Sequence, residues 1–170
     1  VADAAAVAEV HVRSWQKAYF GMLTDSVLDG LSVARWTATR RQILKRASPD
    51  QRFWVVETGN GLLGFLDSGA SRDPDAPASQ GVAEIWAMYV HPSAWGQGLG
   101  RALMQRCLDD LSARHWRLVN LWVLDQNDPA RRFYEAAGFQ PDGASRRDSF
   151  SGCSWTDLRY TLELGQSRRQ

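Results

Sequence analysis

Three glycines at alternate positions in Trp95-Gly96-Gln97-Gly98-Leu99-Gly100-Arg101 suit one kind of chemistry. Without Cβ atoms the backbone turns tightly and leaves its N–H groups open to a ligand. Where such a turn runs into a helix, those amides bind anions, above all phosphate, and Arg101 adds charge. The spacing excludes two other nucleotide loops. A G-x-G-x-x-G dinucleotide loop needs glycine at Arg101 or Leu103, followed by an acidic ribose ligand at the right distance. A Walker A loop closes on Gly-Lys-Ser/Thr, whereas this one closes on Gly100-Arg101-Ala102. Taken alone, the loop reads equally as a phosphate cradle or as a turn for close helix–strand packing.

Other side chains could handle protons. Glu84 can act as a base or water relay beside a pocket; it can equally be a carboxylate paired with an arginine, or one that binds a cationic acceptor. Asn127 precedes a helix and suits a cap. Strict strand alternation puts Glu84 on one face with Trp86, Met88 and Val90, with Ile85, Ala87 and Tyr89 opposite. His11 reads as a satisfied histidine at a helix–sheet contact, and His91 as a strand terminator before Pro92.

These residues need elements to hold them. Val7, His11, Trp15 and Ala18 fall at helical spacing over residues 4–20. Thr24 is a candidate cap for a short second helix ending near Gly30, and Ser32 opens a third that stops at Ser48-Pro49-Asp50. Residues 52–57 and 62–67 read as a hairpin turning at Gly59-Asn60-Gly61. A Pro/Asp/Ser-rich loop at 71–81 precedes the most continuous strand, residues 83–90. Leu99, Leu103, Cys107 and Leu111 mark the buried stripe of the helix after the glycine loop. Leu118–Leu124 is another strand, and Asp128-Pro129 opens a helix ending at Gly138. A turn at Pro141-Asp142-Gly143 and residues 157–164 complete two closing strands, with a frayed tail at 166–170. The order is α+β in character, with a mixed sheet.

Length and composition fit one domain, residues 1–165, with an ordinary 44% hydrophobic and 23% charged content. A net charge of +1 gives no general field for nucleic acid, and Arg40-Arg41, Arg131-Arg132 and Arg146-Arg147 form no recognisable motif. No apolar run reaches membrane-spanning length. The first ten residues lack a basic leader, and the two cysteines lack metal-ligand spacing, so the expectation is a reduced, cytoplasmic protein without metal.

Two stretches together resemble the GNAT superfamily of N-acetyltransferases. The family's Gln/Arg-x-x-Gly-x-Gly/Ala signature maps onto Trp95-Gly96-Gln97-Gly98-Leu99-Gly100, with Trp95 where Arg or Gln is usual. Its Asn-to-Gly-Phe signature maps onto Asn127 through Tyr134 to Gly138-Phe139. The resemblance implies a mostly antiparallel mixed sheet of about six to seven strands flanked by helices on both faces. It implies an enzyme that moves an acetyl group from acetyl-CoA to a primary amine of a small molecule or peptide, as monomer or homodimer. The alternative is a non-catalytic acyl-CoA-binding or sensing domain. Tyr134 would protonate the departing thiolate, and Glu84 falls where one branch of the family carries its base. Backbone groups of Met88, Tyr89 and Val90, together with Asn127, would meet the pantetheine, and an amide near Val90 the oxyanion. The amides of Trp95, Gly96, Gln97, Gly98, Leu99 and Gly100 would meet the diphosphate, with Trp95 contributing its amide rather than its side chain. Arg101, Arg131 and Arg132 are candidates for the 3′-phosphate. Trp15, Tyr19, Leu23 and Trp155 would flank the acceptor.

Overall fold

The computed structural model describes residues 2–59, 61–150 and 152–165; the expected tail at 166–170 and Asn60 of the expected turn lie outside them. Three helices come first: α1 (Ala4–Ala18), α2 (Asp25–Asp29) and α3 (Val33–Lys45). Ala4, Val7, Ala8 and Val10 bury the inner face of α1. Ser32 caps α3 by accepting from the Arg35 amide at 3.3 Å. Thr24 precedes α2 without capping it; its hydroxyl meets that of Ser26 at 3.2 Å.

Six strands follow: β1 (Arg52–Thr58), β2 (Gly61–Ala70), β3 (Val82–Val90), β4 (Leu118–Leu124), β5 (Gln140–Phe150) and β6 (Cys153–Glu163). Helix α4 (Leu99–Ala113) joins β3 to β4, and α5 (Asp128–Ala136) joins β4 to β5. The sheet order is β1-β2-β3-β4-β6-β5, antiparallel except for β3 and β4. This is the expected mixed, mostly antiparallel sheet.

Its main core lies against α4 and α5, where Leu103, Met104, Cys107 and Leu111 pack on Leu66, Ile85, Leu121 and Tyr160. On the other face Val7 and Val10 of α1 pack on Phe65 beside Tyr89. The expected alternation of β3 fails at one place. Asp67 pairs with Ala87 but Ser68 pairs with Ile85, so Trp86 is the extra residue of a bulge. Ile85, Met88 and Val90 therefore belong to the α4-side core, while Ala87 and Tyr89 join the α1-side cluster. Glu84 and Trp86 do not share a face with Met88 and Val90.

The two closing strands also differ from the expectation. The turn at residues 141–143 is only an irregularity in a longer strand, and β5 runs on to Phe150 before β6 starts at Cys153. Residues 145–149 are polar and exposed on an edge strand, so no burial alternation marks them.

The loop 71–81 lies over the α1 face of β4 and β6. Asp73 accepts from Asn120 at 2.7 Å and from the Trp122 indole at 3.0 Å, while Arg159 reaches Asp75 at 2.8 Å and Asp142 at 2.7 Å.

Candidate active site

The parallel pairing of β3 and β4 runs only from Val82–Leu118 to Ile85–Leu121. Beyond it β3 keeps only β2, and β4 keeps only β6. The sheet is thus split between the C-terminal halves of its two central strands. The His91 amide donates to Leu63 at 2.7 Å. Ladder alternation then turns the amides of Met88 and Val90 away from β2, to the split edge.

The glycine loop begins where β3 ends. His91 Nδ1 accepts from the Ser93 amide at 3.3 Å and starts a single 3-10 turn. Trp95 differs from the expectation: its amide donates to Pro92 at 3.3 Å, closing that turn, and its indole donates to the Val90 carbonyl at 2.6 Å. Ser14 of α1 donates to the same carbonyl at 2.9 Å, fixing the helix to the strand end. Gly96 and Gly98 hold φ of 75° and 80°, a conformation that side-chain-bearing residues avoid. A Cβ at either would meet nothing within 4 Å, so the space over the loop is open. Among the described residues, no amide from 96 to 101 has a hydrogen-bond partner. These open donors at the start of α4, with exposed Arg101 beside them, form an anion cradle. Gly100 packs close to Met88 and Phe133.

Tyr134 is half-buried between the rings of Phe133 and Phe139, at centroid distances of 5.4 and 6.1 Å. Burial, and after it the nearby Tyr89 hydroxyl, pushes its pKa well above the ordinary phenol value. At neutral pH it is a proton donor. Tyr19 and Tyr89 are also raised, first by burial, and each feels the charge of Asp157. Tyr19 also feels Tyr89 and Tyr134.

The four expected acceptor residues come together: Trp15, Tyr19 and Trp155 pack around Leu23 with Val27 and Leu28. Phe150 meets Trp15 edge-on at 6.3 Å. Beside this cluster, α1, α3, β2 and β3 line an open pocket of about 520 Å³ bordered by His11, Trp36, Arg40, Asp67, Arg72 and Trp86. Arg40 and Asp67 form a buried two-bond ion pair there, with Arg40 over the Phe53 and Phe65 rings. His11 lies at the helix–sheet contact but is not satisfied. It stacks on Tyr89 at 4.8 Å and tilts against Trp36 at 4.0 Å, and its Nε2 has no partner among the described residues. Burial, then Arg40, lowers its pKa to about 4, so the ring is neutral.

Other expected residues lie apart from the cleft or are already engaged. Glu84 is buried opposite Asn120, within the paired part of the sheet. Its carboxylate accepts from the Arg72 amide at 2.9 Å and from the guanidinium at 2.7 Å, and Arg72 lies over the Trp86 ring. Of the readings left open for Glu84, these surroundings match the Arg-paired carboxylate. Asn127 caps α5 by accepting from Ala130 at 3.2 Å. Arg131 donates to the Tyr160 hydroxyl at 3.1 Å and to the Asp125 carbonyl at 3.0 Å, while Arg132 is exposed. Sequence reasoning missed Asp157 and the Tyr89 hydroxyl. Asp157 carried no motif, and Tyr89 was read only for its backbone.

The Acetyltransferase (GNAT) family model matches residues 11–139. A mycothiol acetyltransferase of Beutenbergia cavernae is 44% identical over 89 residues, which are 52% of this chain and 28% of that protein's length. A probable N-acetyltransferase of Mycobacterium tuberculosis is 29% identical over 139 residues, covering 81% of this chain and 74% of that protein. Among solved structures, the PaiA N-acetyltransferase of Thermoplasma acidophilum in complex with coenzyme A superposes with a TM-score of 0.71 at 17% identity, over 95% of this chain and 93% of that one.

Proposed function

The chain belongs to the GNAT acetyltransferase family, and from that premise we propose that it transfers an acetyl group from acetyl-CoA to a primary amine of a small molecule or peptide. The observation that carries the reading is the junction of two features at the end of β3. A row of amides, 96–101, without a partner among the described residues abuts a split between β3 and β4.

The residues fit a diphosphate-bearing thioester. The open amides, with no atom within 4 Å of the Gly96 and Gly98 Cβ positions, suit the diphosphate, and Arg101 suits a further phosphate. The Met88 and Val90 amides suit a peptide-like arm lying in the split. Acetyl-CoA supplies an acyl carbon activated by a thiol leaving group. The protein's part is positioning, oxyanion stabilisation and proton transfer. An amide at the split edge stabilises the charge that develops on the acyl oxygen. Tyr134, held protonated by burial, hands its proton to the departing sulfur. Trp15, Tyr19, Leu23 and Trp155 surround the amine's approach.

Thiol release measured with acetyl-CoA and an amine panel tests the reading. Acceptor-dependent release supports it. Acetyl-CoA binding without turnover on any amine makes the chain a sensing domain instead.

A further inference from the structure

An amine acceptor is an ammonium ion at neutral pH and must lose a proton before it attacks. The carboxylate singled out from the sequence, Glu84, sits in the paired part of the sheet with both oxygens bound by Arg72. Another carboxylate lies one strand over, level with the split along the sheet. Asp157 of β6 pairs with Leu124, the last residue of β4, three positions beyond the point where β3 and β4 part. Its neighbours Leu158 and Tyr160 pack into the α4-side core. Strand alternation then leaves Leu158 and Tyr160 on one face and Trp155 and Asp157 on the other, where Trp155 joins Trp15, Tyr19 and Leu23. Asp157 is thus a nearly buried carboxylate on the face of the Trp15, Tyr19 and Leu23 cluster, and the Tyr19 hydroxyl feels both it and Tyr134.

We propose that Asp157 binds the acceptor's ammonium and takes its first proton. This rests on the amine-acetylation reading above. Both Arg146 contacts, at 3.3 Å, fall on the same oxygen, Oδ2, and the Trp155 side chain is the further hydrogen-bonding group at the carboxylate. The groups around the carboxylate are Arg146 and Asp148 of β5, Trp155 of β6, Tyr19 after α1 and Tyr89 of β3. Burial, the largest cause, raises its pKa, and Arg146 opposes that shift.

The protons balance. The acceptor arrives as RNH3+, and Asp157 takes one proton. The freed lone pair forms the N–C bond to the thioester carbonyl carbon, and the C–S electron pair leaves on sulfur. Nitrogen's second proton reaches the thiolate by way of Tyr134, and Asp157 returns its proton to water. Amide, thiol and one proton are the products. The rings attract the desolvated ammonium by their faces, and the same aromatic wall favours an amine carried on an apolar body, whose surface it removes from water.

The test uses the whole chain with 2-phenylethylamine, a lysine peptide and a peptide with a free N-terminus. Asp157→Asn is expected to lower kcat/KM for the accepted amine by at least ~100-fold, the usual scale for a lost general base. CoA affinity should stay unchanged, and the acid limb of the pH profile should disappear. Arg146→Met keeps the carboxylate and removes the group that lowers its pKa, so its acid limb should move to higher pH while the plateau is retained. A merely structural Asp157–Arg146 pair predicts equal losses in both variants and no shift of the limb, and that result overturns the proposal. Unchanged turnover and pH profile in Asp157→Asn overturn it too, with the acetylation reading left standing. No turnover of any amine by the wild type overturns both.

Discussion

Gly98 is the position where the structure makes its sharpest demand on the loop. Its φ is 80°, so any side chain costs roughly 1 kcal/mol of backbone strain. A Cβ there touches nothing within 4 Å, so Gly98→Ala and Gly98→Asp carry nearly the same cost to the fold. They differ only in what they present to a ligand. An aspartate about 4 Å from one phosphate charge repels it by up to about 4 kcal/mol at an effective dielectric of 20, and salt reduces this. A penalty of about 2–4 kcal/mol corresponds to a roughly 30- to 1000-fold weaker CoA complex for Asp than for Ala. Calorimetric titration of CoA into both variants measures the ratio, and thermal melting checks that their stabilities match. Equal CoA affinities for the two, at equal stability, would refute the assignment of these amides to the diphosphate.

Three further outcomes follow from the same geometry. Tyr134→Phe should lower kcat by on the order of 100-fold with CoA affinity unchanged, and an unaltered rate in the thiol assay removes this hydroxyl from the proton path. His11 is held neutral, with its pKa lowered from 6.5 to about 4. The unfolded chain therefore binds the extra proton first, and stability present above pH 6.5 falls as pH drops toward 4, by roughly 3 kcal/mol. Urea unfolding of His11→Phe should show a flatter acid dependence than the wild type, and an identical slope contradicts the buried neutral ring. Arg40→Met leaves Asp67 buried without its partner and should cost roughly 3–5 kcal/mol in chemical denaturation, much of it recovered in the Arg40→Met/Asp67→Leu pair.

The sequence made the elements around the chemistry legible because their signals are local. The strand ending at Val90, the αL glycines 96 and 98, the buried stripe Leu103-Cys107-Leu111 and the Pro129 helix start each follow from nearby residues. What it missed depends on pairing between distant strands. The Trp86 bulge exists only in register with Asp67 and Ser68, and it reverses the faces of Met88 and Val90 relative to Glu84. Strand β5 is exposed and polar, held by its ladder to β6, so its residues carry no pattern of their own. Asp157 reads as the start of a strand, and only the β4–β6 register sets it beside Leu124, level with the split. Arg40 and Arg146, which belong to no recognisable motif, and Arg131, a 3′-phosphate candidate, are each engaged by groups within the fold.

The central claim is that the amides at residues 96–101 and the split beside them serve acyl transfer to nitrogen. Mass analysis of the acceptor after incubation with acetyl-CoA, run beside thiol quantitation, tests it most directly. One acetyl group on the amine nitrogen for each thiol released, slowed roughly 30-fold or more in Gly98→Asp relative to Gly98→Ala at subsaturating acetyl-CoA, is the predicted result. Thiol release with an unmodified amine, or acetylated amine formed equally well by Gly98→Asp, would contradict it.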